Sequence, residues 1–164
     1  MTTDEKITQL EEYIVAYQGA HYRLAYSYVK NQQNALDIVQ DAIVKALKSI
    51  HRLEEIAYLH TWFYRILMNT AIDYLRRHKR MIPSDDALFA REQSTPANPD
   101  LHMDLWEALN QLSVEQKTII ILRFFEDMKL QDIAKVLDLN VNTVKARLYA
   151  TLKKLRIQME EYHE

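Results

Sequence analysis

The chain is poor in the residues that shape turns and reactive sites. Its 164 residues include no cysteine, three prolines and a single glycine, Gly19, where average usage predicts roughly eleven glycines. Sheets need glycine and proline at their turns, so this scarcity predicts an all-helical protein. One glycine also excludes the G-x-G-x-x-G dinucleotide loop and the G-x-x-x-x-G-K phosphate loop. The absence of cysteine excludes disulfides, thiolate zinc sites and cysteine nucleophiles, and it fits a reducing cytoplasm.

Signals for secretion and membrane insertion are also lacking. The first residues, MTTDEKITQLEE, are polar and acidic where a signal peptide would be basic and then apolar. Strictly apolar runs such as Ile119–Leu122 are far shorter than the roughly 20 residues of a spanning helix. We therefore expect a soluble, cytoplasmic protein without direct membrane insertion. The six histidines are scattered, with no pair at i, i+4, and this predicts no metal site. We also expect no cofactor.

Charge is distributed unevenly although the net charge is only −2. The segment Arg65–Arg80 has five basic residues and one acid, and Val141–Ile157 has five basic residues and no acid. Between them, Met81–Gln116 has seven acids and one arginine. Two basic segments separated by an acidic one indicate two places that could contact phosphate groups. A pair of solvated helix faces would give the same pattern.

The segment 82–100 contains all three prolines and a cluster of Ser, Thr, Asn and Asp residues. It predicts a flexible linker between two small helical domains, residues 1–81 and 101–164. In the first domain we predict helices over 7–18 (ending at Gly19), 21–30, 34–50 (with Asn34 as N-cap and Asp37 three residues on) and 61–80. In the second we predict a helix over 101–111 and another that Ser113 and Gln116 open as a capping box.

The last part of the chain has the pattern of a helix-turn-helix. In LQDIAKVLDLNVNTVKARLYATLKKLR, a short apolar stripe precedes a break at 138–141, and a longer stripe follows it. Asp138 or Asn140 is expected to adopt the left-handed conformation in the turn. The side chains opposite the second stripe are of the types that contact base edges and phosphates. They are Asn142, Thr143, Lys145, Ala146, Arg147, Tyr149, Ala150 and Lys153. Two ordinary packed helices remain the alternative interpretation.

A second segment, HTWFYRILMNTAIDYLRRHKR (His60–Arg80), begins with three aromatic residues and ends with a basic cluster. Consecutive helix residues point about 100° apart, so Trp62, Phe63 and Tyr64 cannot all face one core. At least one should be exposed, where it could stack on an unpaired base.

These segments resemble those of bacterial sigma factors of the extracytoplasmic-function (ECF) group, the smallest members of the sigma-70 family. ALDIVQDAIVKAL resembles the helix with which that family docks on core RNA polymerase. TWFYRILMNTAIDYLRRHKR resembles its segment for strand opening and the −10 element, and LQDIAKVLDLNVNTVKARLYATLKKL its −35-reading helix-turn-helix. RLAYSYVKNQ and IIILRFFEDMKL are similar to a Bacillus subgroup, the sigma-V type.

The resemblance implies roles for particular residues. It places Asp37, Gln40 and Asp41 on the polymerase-binding surface. It places Tyr58, His60 and Thr61 in the loop that shapes the pocket for a flipped −10 base, with Asn69 holding that base and Arg76 and Arg77 on phosphates. Trp62 is a further candidate for contact with the −10 element. Lys145, Arg147 and Tyr149 match groove-facing positions of the recognition helix, whereas Ala150 replaces a basic residue of some members.

The resemblance implies an initiation subunit, not an enzyme, whose partners are core RNA polymerase, promoter DNA and a membrane-anchored anti-sigma factor. It also implies a role in an envelope-stress response. Two other interpretations remain open from the residues alone. A stand-alone helix-turn-helix regulator would bind DNA without polymerase, and a helical adaptor would bind only proteins. An enzyme is disfavoured, because carboxylate pairs such as Asp85–Asp86 fall in the predicted linker without a scaffold to shift their pKa values.

Overall fold

The computed structural model describes residues 1–78 and 104–162. Every regular element in these two ranges is helical, which confirms the all-α prediction for them. The chain divides into two compact units, of which the first contains Met1–Arg77 and Lys135–Asp138 and the second contains the other described residues. Residues 1–78 are called the N-terminal unit and residues 104–162 the C-terminal unit. The predicted linker, 82–100, lies outside the described residues.

Three helices form the N-terminal unit. They are α1 (Thr3–Val29), α2 (Gln32–Ser49) and α3 (Leu59–His78), and two short 3₁₀ turns, Ile50–Arg52 and Ile56–Tyr58, join α2 to α3. The core side of α2 consists of small and branched residues, Ala35, Ile38, Ala42 and Ala46, all fully buried. Their spacing follows one helix face. Small side chains there allow α1 and α2 to pack closely.

The prediction that a helix ends at Gly19 is wrong. Residues 3–29 form one helix of 27 residues, and Gly19 lies in its interior. Packing explains this, because Leu10 and Tyr13 before the glycine and His21 and Leu24 after it are all buried. A continuous buried stripe offsets the roughly 1 kcal/mol that glycine costs within a helix.

The predicted N-cap of α2 is also wrong by three residues. The helix begins at Gln32, and the side chain of Asn31 accepts a hydrogen bond from the backbone N–H of Asn34 at 2.9 Å. Asn34 therefore lies inside the first turn, and Asp37 accepts from the Gln33 side chain at 3.1 Å instead of completing a capping box. Both asparagines suit an N-cap position, and the local sequence does not discriminate between them.

The C-terminal unit contains four helices in its described part. They are α4 (Asp104–Asn110), α5 (Val114–Ile120), α6 (Leu130–Leu137) and α7 (Val141–Tyr162), and α5 continues into one turn of π-helix, Ile121–Phe125. The predicted capping box is confirmed, because Ser113 and Gln116 exchange side-chain to backbone hydrogen bonds of 3.1 Å. The predicted break between α6 and α7 is confirmed as well.

Within residues 1–78 and 104–162, no helix has the length and apolar character needed to cross a membrane.

Candidate nucleic-acid and polymerase interfaces

The turn between α6 and α7 positions the second helix of the helix-turn-helix. Asp138 has the left-handed conformation, with φ of 57°, as one of the two residues expected to adopt it. The side chain of Asn140 accepts a hydrogen bond from the N–H of Asn142 at 2.8 Å, which caps the start of α7. Ala134 is buried and its carbonyl accepts from the N–H of Leu139 at 2.9 Å, so the chain turns tightly at this point.

Helix α7 separates a buried stripe from an open face. Val144, Leu148 and Leu155 are buried against the rest of the unit. The side chains on the other side are open to solvent, with Tyr149 59% exposed. Thr143 is half-buried, and the exposed members of the predicted set are Asn142, Lys145, Ala146, Arg147, Tyr149 and Lys153. A face of this kind, basic and polar over the first four turns of a helix, can enter a major groove.

The start of α3 and the 3₁₀ turn before it form a second candidate surface. Tyr58 ends the turn and is 52% exposed. Its carbonyl accepts a hydrogen bond from the Thr61 hydroxyl at 3.1 Å, which ties the turn to the helix. Of the three aromatic residues, Phe63 and Tyr64 are fully buried, and Trp62 is the one that keeps partial exposure. Trp62 is therefore the ring available for stacking.

One face of α3 continues this surface. Trp62, Asn69 and Arg76 follow each other at seven-residue spacing, which places them on the same side of the helix over roughly 21 Å. Asn69, Arg76 and Arg77 are exposed. The opposite side is anchored in the core, where the hydroxyl of buried Thr70 accepts from the Lys45 ammonium of α2 at 3.2 Å.

A buried hydrogen-bond network supports the start of α3. The Tyr13 hydroxyl of α1 lies 3.0 Å from Nε2 of His21 and 2.9 Å from Nδ1 of His60. His21 is fully buried and packs against Phe63 and Tyr64, with ring centroids 4.5 and 5.0 Å away. Burial and the neighbouring His60 lower the pKa of His21 to about 3, so His21 is neutral at physiological pH.

The environment of His21 also indicates how protons are arranged in this network. Nδ1 of His21 is buried and has no hydrogen-bond partner among the described residues. A buried N–H without an acceptor is rarer and more costly than an unfilled acceptor. We therefore assign the proton to Nε2, which donates to the Tyr13 oxygen, while the Tyr13 hydroxyl donates to Nδ1 of His60. The sequence pattern identified His60 but not Tyr13 or His21, the other members of this network, which lie on α1.

The outer face of α2 combines polar and apolar side chains. Asp37, Gln40 and Asp41 are all exposed, as expected for a binding surface. Beside them lie three apolar residues that the sequence reasoning missed, Leu36, Val44 and Leu47, which are 40%, 49% and 41% exposed. Leu47 lies 100° around the helix from buried Ala46, which places it on the exposed side. An exposed apolar row bordered by carboxylates is typical of a surface that binds another protein.

No group of three or more His, Cys, Asp or Glu residues within residues 1–78 and 104–162 could hold a metal ion.

Comparison with protein families identifies two matched regions. Residues 13–81 match the family described as Sigma-70 region 2, and residues 102–155 match Sigma-70, region 4. Together these matches cover well over half of the chain. The chain therefore belongs to the sigma-70 family.

Relatives define its group more narrowly. The chain is 50% identical over 138 residues to RNA polymerase sigma factor SigV of Bacillus subtilis, covering 84% of this chain and 83% of the relative. It is 33% identical over 128 residues to the ECF RNA polymerase sigma-E factor of Haemophilus influenzae, covering 69% and 68%. The chain is an ECF-type member of the family, and the predicted resemblance is confirmed.

Solved structures show the same fold. The sigma factor RpoE of Bartonella quintana, determined in complex with the anti-sigma factor NepR, superposes with a TM-score of 0.75 at 24% identity, covering 92% of this chain and 96% of that chain. CnrH, determined in complex with the cytosolic domain of CnrY, gives a TM-score of 0.70 at 22% identity, covering 93% and 88%.

Proposed function

We propose that this protein is an initiation subunit that binds core RNA polymerase in the cytoplasm, directs it to specific promoters and assists opening of the DNA. It supplies binding surfaces and no catalytic chemistry of its own. Residues 1–81 would contact polymerase and the −10 element, 82–100 would link the domains, and 101–164 would contact the −35 element. The observation that carries the proposal is that three helix faces, on α2, α3 and α7, are open to solvent within the two regions that match the family.

The face of α2 supports the polymerase contact. A partner protein can cover its exposed apolar row, and Asp37 and Asp41 beside that row can pair with basic side chains of the partner. Gln40 lies within the apolar row and can satisfy a polar group at the centre of the contact.

The faces of α3 and α7 support the DNA contacts. On α3, Trp62 offers a partly open ring for an unstacked base, Asn69 offers an amide for its edge, and Arg76 and Arg77 offer charge for phosphates. Capture of a flipped base would offset the few kcal/mol that unpairing costs. On α7, Lys145, Arg147 and Tyr149 would reach the −35 element in the major groove.

A regulator is expected as a further partner. RpoE of Bartonella quintana was determined in complex with the anti-sigma factor NepR, and CnrH in complex with the cytosolic domain of CnrY. By analogy we expect a membrane-anchored anti-sigma factor that releases this protein in an envelope-stress response. Such a regulator would compete with core polymerase for the chain, and an added cytosolic fragment of it should reduce polymerase capture.

The test is capture of purified core RNA polymerase by the tagged, full-length protein. Wild type should retain polymerase in a one-to-one complex, and Asp37→Ala/Gln40→Ala/Asp41→Ala should retain at least about tenfold less, since charged and polar contacts at an interface each contribute on the order of 1 kcal/mol or more. A matched control is Gln9→Ala/Glu11→Ala/Glu12→Ala, which removes one glutamine and two carboxylates from the exposed side of α1.

Capture that the control triple retains and the α2 triple loses would support the proposal. No capture by the wild-type protein would contradict it, and the helix-turn-helix would then be that of an independent regulator.

A further inference from the structure

An acidic residue is paired with an arginine of the α7 face. Nη1 of Arg147 donates a hydrogen bond to Oε1 of Glu115 in α5, a helix of the same unit. Both side chains keep substantial exposure, 44% for Arg147 and 39% for Glu115, so the pair is part of the surface. Glu115 is thus an acid beside a face whose charged side chains are otherwise basic.

Both partners are held by well-fixed backbone. Glu115 is in the first turn of α5, between the capping-box residues Ser113 and Gln116, where the helix dipole favours a carboxylate. Lys117 and Thr118, which follow it, are buried. On α7, Arg147 precedes buried Leu148 in the chain. The pairing therefore follows from the packing of α5 against α7, not from a chance contact between loops.

The pair changes what Arg147 presents to DNA. An exposed ion pair contributes little to folding stability, but a carboxylate beside a guanidinium reduces its attraction to phosphates at any DNA sequence. A guanidinium has five N–H donors in one plane. The hydrogen bond to Glu115 uses one of these donors and restricts the orientation of the guanidinium plane. The other donors remain available for a base edge, and the strength of that contact depends on its geometry.

We propose that Glu115 is a specificity-determining residue that holds Arg147 for base recognition and lowers its contribution to phosphate binding. This inference rests on the proposed function, in which α7 contacts the −35 element. Its consequence is a larger ratio between the affinities for a preferred duplex and for unrelated DNA.

The test uses holoenzyme and two DNA probes. One probe is the duplex that wild-type holoenzyme enriches most from a random-sequence library, and the other is a shuffled duplex of the same composition. Glu115→Gln keeps the size of the side chain and removes its charge. We expect it to tighten binding to the shuffled duplex about threefold or more, with a smaller change for the enriched duplex. The slope of log affinity against log salt should become steeper by up to about one.

Two controls separate this effect from a general change of charge. Asp127→Asn removes a carboxylate from an exposed site of the same unit, and asparagine tolerates its left-handed φ of 52°. It should leave the affinity ratio unchanged. In an Arg147→Ala background, Glu115→Gln should have no further effect on the ratio, because the residue acts through Arg147.

The inference is overturned if Glu115→Gln changes neither the ratio of the two DNA affinities nor the salt slope. It is also overturned if Glu115→Gln changes that ratio equally in the wild-type and Arg147→Ala backgrounds. If Arg147→Ala alone weakens the preference for the enriched duplex, the proposed role of α7 stands in either case. If wild-type holoenzyme enriches no sequence, or Arg147→Ala changes nothing, the proposed DNA contact fails and the inference fails with it.

Discussion

His21 is a titratable side chain inside the core of the N-terminal unit. Its ring is fully buried among aromatic side chains, and one hydrogen bond joins it to the Tyr13 hydroxyl. Because burial and His60 lower its pKa to about 3, the folded protein keeps it neutral where the unfolded chain, with a pKa of 6.5, would take up a proton. Protonation of the unfolded chain therefore favours unfolding in mildly acidic solution.

The sign and size of this effect can be measured. Between pH 6.5 and 3 the unfolded state binds more protons than the folded state, so the free energy of unfolding falls as the pH drops, by up to about 1.4 kcal/mol per pH unit. From pH 6.5 to 5 the His21 contribution should be about 2 kcal/mol. Urea unfolding at both values should show a smaller fall for His21→Phe, which keeps the ring contact with Phe63.

A second variant tests whether the altered pH dependence of His21→Phe comes only from the lost hydrogen bond to Tyr13. Tyr13→Phe/His21→Phe removes the whole donor and acceptor pair and should show the same reduced pH dependence. An equal fall in wild type and in both variants would mean that His21 does not carry the effect.

At the scale of the residue, the sequence predicts which side chains are exposed better than it predicts which side chains contact each other. Lys145 and Arg147 were correctly expected on an open face, because their spacing relative to Val144 and Leu148 defines it. The Arg147 contact with Glu115 spans 32 positions, and the Tyr13 contact with His60 spans 47. No local periodicity reports such pairs, since they depend on how the helices pack.

At the scale of the element, α1 shows how packing overrides a local signal. Gly19 suggested a helix end, yet the buried residues continue through it at helical spacing, and this continuity was visible in the sequence. The helix-turn-helix was predicted correctly because local and long-range signals agree there. Asp138 tolerates the left-handed backbone of the turn, and Asn140 caps the helix that follows it.

The position of Gly19 predicts a stabilising substitution. A Cβ atom built at this residue meets nothing within 4 Å, and the site is exposed within a helix. Gly19→Ala should therefore raise the free energy of unfolding by about 0.5–1 kcal/mol, because alanine loses less backbone entropy on folding. Ala16→Gly, at another exposed site of α1, should lower it by a similar amount. Urea unfolding monitored by circular dichroism measures the change in stability. If Gly19→Ala destabilises the protein instead, α1 needs to bend at this residue.

At the scale of the whole molecule, positive charge is concentrated in two segments of a chain that is slightly negative overall. Each of the two matched regions includes a basic segment, while the chain as a whole carries a net charge of −2. Affinity for DNA rises with the number of phosphates that a protein neutralises and falls with nearby negative charge. We therefore expect an initiation subunit with this balance to gain its promoter affinity from the complex with polymerase.

This balance predicts weak DNA binding by the free protein. At about 150 mM salt, the wild-type chain alone should bind the duplex enriched by its holoenzyme no more tightly than roughly 1 µM, the range of non-specific binding. Asp85→Asn/Asp86→Asn/Glu92→Gln/Asp100→Asn removes four negative charges from the segment between the basic regions. Fluorescence anisotropy at low salt should show severalfold tighter binding for this variant, with the difference shrinking as salt is raised, because screening shortens the reach of charge. Binding by the free wild-type chain as tight as that of holoenzyme would show that charge does not restrain it, and that polymerase is not needed to bring the recognition helix to DNA.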